Sequence, residues 1–196
     1  MGAMRIVIVF LGSVLVACTG ETPSPAVEHA PGEGEVFFSG LRQITFGGQN
    51  AEAYFSPDGT RLIFQRTVSD SSCDQQYIMN VDGSNVRQVS RGGRTTCGYF
   101  YQGGSRILYS STVHADSACP APPDFSRGYV WPIPDFDIYT ANADGSDERV
   151  IARSPFYDAE ATLSPDGSRI VFTSTRDGDL DIYTMNVDGS DIRRLT

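Results

Sequence analysis

Asp158-Ala-Glu-Ala-Thr-Leu-Ser164-Pro165-Asp166-Gly167-Ser-Arg-Ile-Val-Phe172-Thr-Ser-Thr-Arg176-Asp-Gly-Asp-Leu-Asp181-Ile-Tyr-Thr-Met-Asn186-Val-Asp188-Gly189-Ser-Asp-Ile-Arg-Arg-Leu-Thr196 reads as four short strands separated by turns. Ser164-Pro165-Asp166-Gly167 is a tight turn: Pro fixes φ at the second position and Gly accepts the last. Apolar runs with β-branched and aromatic residues flank it, Ala161-Thr162-Leu163 before and Arg169-Ile170-Val171-Phe172 after. Arg176-Asp177-Gly178-Asp179 is a second turn, leading into Ile182-Tyr183-Thr184-Met185. Asp188-Gly189 is a hairpin signal before Ile192-Arg193-Arg194-Leu195. Four antiparallel strands in about forty residues is the size of one propeller blade.

The unit recurs. Glu52-Ala-Tyr-Phe-Ser56-Pro57-Asp58-Gly59-Thr-Arg-Leu-Ile-Phe64 matches Glu160 through Phe172, and Tyr77-Ile-Met-Asn80-Val-Asp82-Gly83-Ser84 with its following strand matches Tyr183 through Thr196. Between them lies a third copy, partly degraded. Tyr99-Phe100-Tyr101-Gln102-Gly103-Gly104-Ser105-Arg106-Ile107-Leu108-Tyr109 keeps strand, turn and strand but has Gln-Gly-Gly where the others have Pro-Asp-Gly. Its second half, Asp137-Ile138-Tyr139 through Asn142-Ala-Asp144-Gly145-Ser146 to Arg149-Val-Ile, is intact.

These motifs resemble the WD-repeat-like propeller repeats of TolB-like periplasmic proteins, whose signature is a Ser-Pro-Asp-Gly turn followed by an Asn-x-Asp-Gly-Ser hairpin. The resemblance covers residues 41 to 196. It implies an all-β protein, a β-propeller of four-stranded antiparallel blades, and a non-catalytic binding role, because the family is mostly non-catalytic. It names no ligand, since propellers host many functions. The expected boundaries are a propeller over 36–196, with blades near 50–90, 95–152 and 158–196. Leu41-Arg42-Gln43-Ile44-Thr45 is expected to be an outer closing strand, the counterpart of Ile192 through Thr196. Three blades are fewer than the four to eight that usually close a ring. The sequence is therefore expected to be part of a longer, six-bladed propeller, with self-association of a three-bladed chain as the alternative.

The start of the chain reads as an export signal over residues 1–17. Arg5 supplies the positive charge, and the apolar run Ile6 to Val16 is too short to span a bilayer. Leu15-Val16-Ala17-Cys18 resembles the bacterial lipobox, which implies cleavage before Cys18 and its lipidation. An ordinary signal peptide that happens to contain a Cys is the alternative. Residues 18–35 are rich in Pro, Glu, Gly and Ala and are expected to be a flexible tether. The expected location is the bacterial cell envelope, lipid-anchored to a membrane on the periplasmic side or at the cell surface.

All fifteen basic residues are Arg, and the net charge is −9. Such a chain gains nothing from phosphate counterion release, which argues against nucleic-acid binding. The lack of Lys excludes Schiff-base chemistry and Lys-dependent phosphate loops. No G-x-S-x-G elbow occurs, and no catalytic residue or cofactor is expected. The expected partner is an envelope protein, peptide or glycan. Two rivals stay open: the propeller portion of a prolyl-oligopeptidase-like hydrolase, and a metal- or sugar-binding propeller.

Departures from the repeat mark the candidate sites. The middle blade carries an insertion of roughly twenty residues between its second and third strands, longer than an ordinary connection. It is rich in Pro and holds His114, Tyr129 and Trp131. Either it forms an aromatic flap over one face, or Trp131 plugs a gap above its own blade. Cys73, Cys97 and Cys119 should lie near one face, because chain direction alternates along a blade. The favoured disulfide is Cys73–Cys97, with Cys97–Cys119 next; a zinc site using His114 lacks paired C-x-x-C spacing. Glu52, Cys97 and Glu160 are equivalent positions at the head of the innermost strand. With Asp158 they could ring the mouth of the central channel and hold a cation, or cap the blade ends with water.

Overall fold

In the computed structural model, which describes residues 26–69, 72–121, 124–129 and 133–196, every long element is a strand. Three four-stranded antiparallel sheets follow one another along the chain. The first blade contains β3 (Gln49–Phe55), β4 (Arg61–Thr67), β5 (Gln75–Asn80) and β6 (Arg87–Gln88), after a separate pair, β1 (Val27–His29) and β2 (Leu41–Gln43). β7 (Thr95–Tyr101), β8 (Arg106–Ser111), β9 (Asp137–Asn142) and β10 (Arg149–Ala152) make the second. β11 (Asp158–Leu163), β12 (Arg169–Ser174), β13 (Asp181–Asn186) and β14 (Arg193–Arg194) make the third. Strand order within each sheet is sequence order, so each blade is a meander, and the whole is a partial β-propeller.

The turn chemistry explains the punctuation. In the first blade the Ser56 hydroxyl donates to Asp58 Oδ1 at 2.6 Å, and the same oxygen accepts the Thr60 amide at 3.1 Å. Those donors hold the Asp58 carboxyl at about 2, against an ordinary 3.8. The third blade repeats the arrangement with Ser164, Asp166 and Ser168. The second turn type is equally regular: Asn80, Asn142 and Asn186 each donate through the side-chain amide to the Ser four residues on, at 2.9 Å.

Period-two alternation sorts the core. In β8, Ile107 packs with Ile63, Ile78 and Val89 of the first blade, while its neighbour Leu108 packs with Ile170, Phe172 and Met185 of the third. Each such side chain, buried on both sides, is worth about 1.5–3 kcal/mol. The outward face of the third blade has no such cover: Ile182 is 39 % exposed, whereas its counterpart Ile138 is 0 % exposed.

Blades also dock through backbone. Gly83, Gly145 and Gly189 all adopt φ 85°, and a Cβ there would stand 3.0, 2.8 and 2.2 Å from the carbonyl oxygens of Ile44, Val89 and Ile151. Each of those carbonyls lies at or just beyond the outer strand of the preceding unit. Ile44 follows β2, so Leu41–Gln43 occupies an outer-strand position ahead of the first blade. β1 pairs with it, Val27 opposite Gln43 and His29 opposite Leu41. This corrects the expectation of a structureless tether through residue 35, because β2 offers Val27–His29 an open edge to pair with. Cys18 and the signal segment lie outside the described residues.

The disulfide also differs from expectation. Cys73 bonds Cys119, and Cys97 is free among the described cysteines. The Cys73–Cys97 pairing fails because Cys97 lies inside the paired inner strand β7, while Cys73 and Cys119 lie on two loops that meet. The root of the insertion leans on the linker between the first two blades. Gly93 donates its amide to the Ser117 carbonyl at 2.8 Å, and a Cβ on Gly93 would stand 2.6 Å from the Val113 nitrogen. The insertion thus leaves the second blade and is stapled to the first.

Gly189→Ala should destabilise the fold by about 2–3 kcal/mol, through its left-handed φ and the collision with the Ile151 carbonyl. Gly167→Ala, whose Cβ would meet nothing within 4 Å, should lose only about 1 kcal/mol. Equal shifts in urea midpoint would show that the hairpin glycines serve the turn alone. Reducing Cys73–Cys119, which closes a loop across 46 residues, should remove about 4 kcal/mol. That corresponds to a melting temperature lower by on the order of 10 °C. An unchanged melting curve after reduction would refute the staple.

Candidate functional site

Inside a strand, a non-glycine residue with positive φ is out of place unless something holds it there. Glu52, Cys97 and Glu160 have φ of 50°, 53° and 56°. All three sit at the same point of the innermost strand, where the register slips between Ala51 and Tyr54, Thr96 and Tyr99, and Ala159 and Thr162. Each is the extra residue of a β-bulge, which re-aims its side chain. Left-handed backbone at a non-glycine residue costs about 1–2 kcal/mol. The three blades bear that strain at equivalent positions with two carboxylates and a thiol.

The three side chains act on one another electrostatically. Burial pushes the Cys97 thiol up from an ordinary 9.0 to about 12, against a hydrogen bond from Thr96. The Glu52 and Glu160 carboxylates push it the same way, Glu52 both as a charge and as a hydrogen-bond partner. Residues from three blades therefore share one electrostatic environment at the axis. Beneath them the rings of Tyr54 and Tyr99 lie 4.2 Å apart, and burial followed by the Tyr54 contact raises the Tyr99 hydroxyl. Tyr157 donates to Glu160 Oε1 at 3.3 Å.

Chemically this cluster accepts hydrogen bonds and attracts positive charge. A thiol held protonated is a poor nucleophile and a poor soft-metal ligand. Among the described residues no three His, Cys, Asp or Glu side chains stand close enough together to hold a metal ion.

Asp158 does not join the cluster. It is wholly buried and ion-paired to Arg176 at 2.9 Å, and that guanidinium also covers the rings of Phe172 and Tyr183 at 5.2 and 5.0 Å. An anchored guanidinium inside the third blade, not the channel, claims this carboxylate, which corrects its place among the face residues. His114 is exposed on the insertion, near enough to Asp137 for its charge to offset part of the upward push that burial gives that carboxyl. Tyr129 is exposed and stacked on Phe125, with ring centroids 5.6 Å apart. Trp131 lies outside the described residues.

The degraded turn of the second blade receives a side chain from the first. Arg106 and Arg169 reach within their own blades to Asp147 and Asp191, at 3.0 and 2.9 Å. The equivalent Arg61 faces Asn85 instead of an Asp. It turns out of its blade, covers Phe100 at 4.9 Å, and donates to the Gly104 carbonyl at 2.7 Å. A Cβ on Gly104 would stand 2.7 Å from that guanidinium. Reading position 85 against 147 and 191 is the signal that exposes this.

The raised thiol has a sign. The native state holds the Cys97 proton more tightly than the unfolded chain, so its contribution is full below pH 9 and is lost as pH rises toward 12. Replacing Glu52 and Glu160 by Gln should lower the Cys97 pKa and speed its alkylation at pH 9–10, followed by mass spectrometry of the Cys97 peptide. An unchanged rate would mean that the carboxylates do not face the thiol.

Neither a protein-family model nor a curated protein matches this chain. Solved structures do match its fold. TolB from Acinetobacter baumannii aligns over 80 % of this chain and 35 % of its own, at 20 % identity and a TM-score of 0.59. An Agrobacterium tumefaciens protein described as a TolB aligns over 72 % of this chain and 44 % of its own, at 23 % identity and 0.54. A prolyl endopeptidase aligns over 76 % of this chain and 22 % of its own, at 15 % identity and 0.54. The chain spans less than half the length of these proteins, and its fold is that of a TolB-like β-propeller.

Proposed function

We propose that this chain is a non-catalytic binding platform of the bacterial cell envelope, tethered through a lipid on Cys18. Its ligand is a protein, peptide or glycan that engages the blade face where Glu52, Cys97 and Glu160 meet. The carrying observation is the three-fold placement of strained, non-glycine residues at the axis, two of them acidic. The cluster suits a cationic or hydrogen-bond-donating group, such as a basic side chain or a sugar hydroxyl. The insertion supports the reading, because the staple to the first blade fixes its root while Tyr129 stays exposed. The fold shared with TolB supports an envelope setting.

A second reading, the propeller portion of a hydrolase, draws on the fold shared with a prolyl endopeptidase. A longer reading frame that encodes a hydrolase domain would favour it.

A photo-crosslinking amino acid at position 52 or 160 should trap a partner in envelope preparations, whereas one at Val86 on the blade rim should not. Equal trapping at all three, or none at 52 and 160, would reject the axial platform. Cys18→Ser should move the protein from the membrane to the soluble fraction; continued membrane association would reject the lipid tether.

A further inference from the structure

At the opposite end of the blades, beside the turns rather than the strand heads, a groove of about 450 Å³ opens between the first and second blades. That volume lies within the range of small-molecule sites. Its lining includes Arg61, Arg87, Gly103, Gly104, Asn142 and Asp144. Three departures from the repeat converge there. Asn85 replaces the Asp that fixes Arg106 and Arg169 at home, and Ile78 replaces the Thr140 and Thr184 hydroxyls that also accept from those arginines. Gly103 replaces the Asp of the other turns, which takes one carboxylate side chain out of the groove wall. Together they free one guanidinium and make room in front of it.

The charges are unusual for so acidic a chain. Among the described residues neither Arg61 nor Arg87 forms an ion pair, while Arg106, Arg149, Arg169 and Arg193 all do. Arg61 uses one N–H on the Gly104 carbonyl and Arg87 uses one on the Ala143 carbonyl, at 2.7 and 2.9 Å. Arg87 Nε is buried without an acceptor. A guanidinium has five N–H donors in a planar fork that matches a carboxylate. Asp144 spends Oδ1 on the Ser146 amide and hydroxyl, and Arg87 acts on it at longer range. Two guanidiniums and one carboxylate leave the lining with a single positive charge. A monoanion balances that charge; a phosphate dianion exceeds it and meets Asp144.

We infer that this groove is a binding site for a hydroxylated carboxylate, a sugar acid, with its carboxylate on Arg61 and Arg87 and its hydroxyls toward Asp144 and Asn142. The site is separate from the axial cluster and does not depend on that reading. Gly103 is the point of control, since a Cβ there would meet nothing within 4 Å. Asp tolerates its left-handed φ, so Gly103→Asp adds a negative charge at the groove without touching either arginine.

The test is titration of the whole chain with D-glucuronate by calorimetry and by protein NMR, with glucose and inorganic phosphate as parallel probes. Glucuronate is expected to bind and to shift resonances of Gly103, Gly104 and Asn142, with glucose at least about tenfold weaker. Gly103→Asp and the double variant Arg61→Gln, Arg87→Gln should each weaken it by about tenfold or more, Gly103→Asp with a melting temperature lowered by no more than about 4 °C. Glucuronate binding no stronger than glucose, or unaffected by Gly103→Asp, overturns the site. Phosphate binding as tightly as glucuronate overturns the sugar-acid assignment.

Discussion

Everything in this fold hangs on how closely one blade can approach the next. At each junction a hairpin glycine of one sheet meets a carbonyl at the outer edge of the sheet before it, at a separation that would crowd a Cβ at Gly83 and exclude one at Gly145 and Gly189. Side-chain burial supplies most of the energy, but it is non-directional and would tolerate a range of offsets. The backbone contact removes that freedom. It sets each sheet against its neighbour at a fixed distance, and the innermost strands are thereby brought to one axis. The shared electrostatic environment of Glu52, Cys97 and Glu160 rests on that placement of the innermost strands.

Much of this was legible in the sequence because repeats carry their own controls. The Ser-Pro-Asp-Gly and Asn-x-Asp-Gly-Ser turns each need particular backbone angles and particular oxygens, so few sequences satisfy them by chance. The Cys119 partner was not legible. A thiol in a long insertion has no repeat position to be compared with, and only the path of the insertion across to the first blade decides which loop it meets. Asp158 misled for a related reason: strand position says which end a carboxylate occupies, but not that Arg176 is anchored within reach. The strand Val27–His29 was hidden by its composition, since a pair of extended segments needs an open edge more than it needs β-forming residues.

The structure also separates two kinds of departure from a repeat. The left-handed residues at the axis keep their backbone geometry in all three blades and differ only in chemistry, Glu, Cys and Glu. That pattern belongs to a surface selected for what it presents. The Gln-Gly-Gly turn departs in both backbone and side chain, and it receives Arg61, which Asn85 and Ile78 leave without its usual partners. One kind alters a display; the other transmits a change from one blade into the next.

The junction between the first two blades also holds Gln76, where the later blades have Ile138 and Ile182. Its side chain is wholly buried against Gly98, whose missing Cβ would stand 2.1 Å from Gln76 Oε1, and that oxygen has no hydrogen-bond partner. An unmatched amide oxygen inside an apolar seam is costly. It is also the seam that the cystine crosses. In an oxidising compartment the seam that carries this cost is the one held covalently, and reduction leaves it to packing and its cross-blade hydrogen bonds alone.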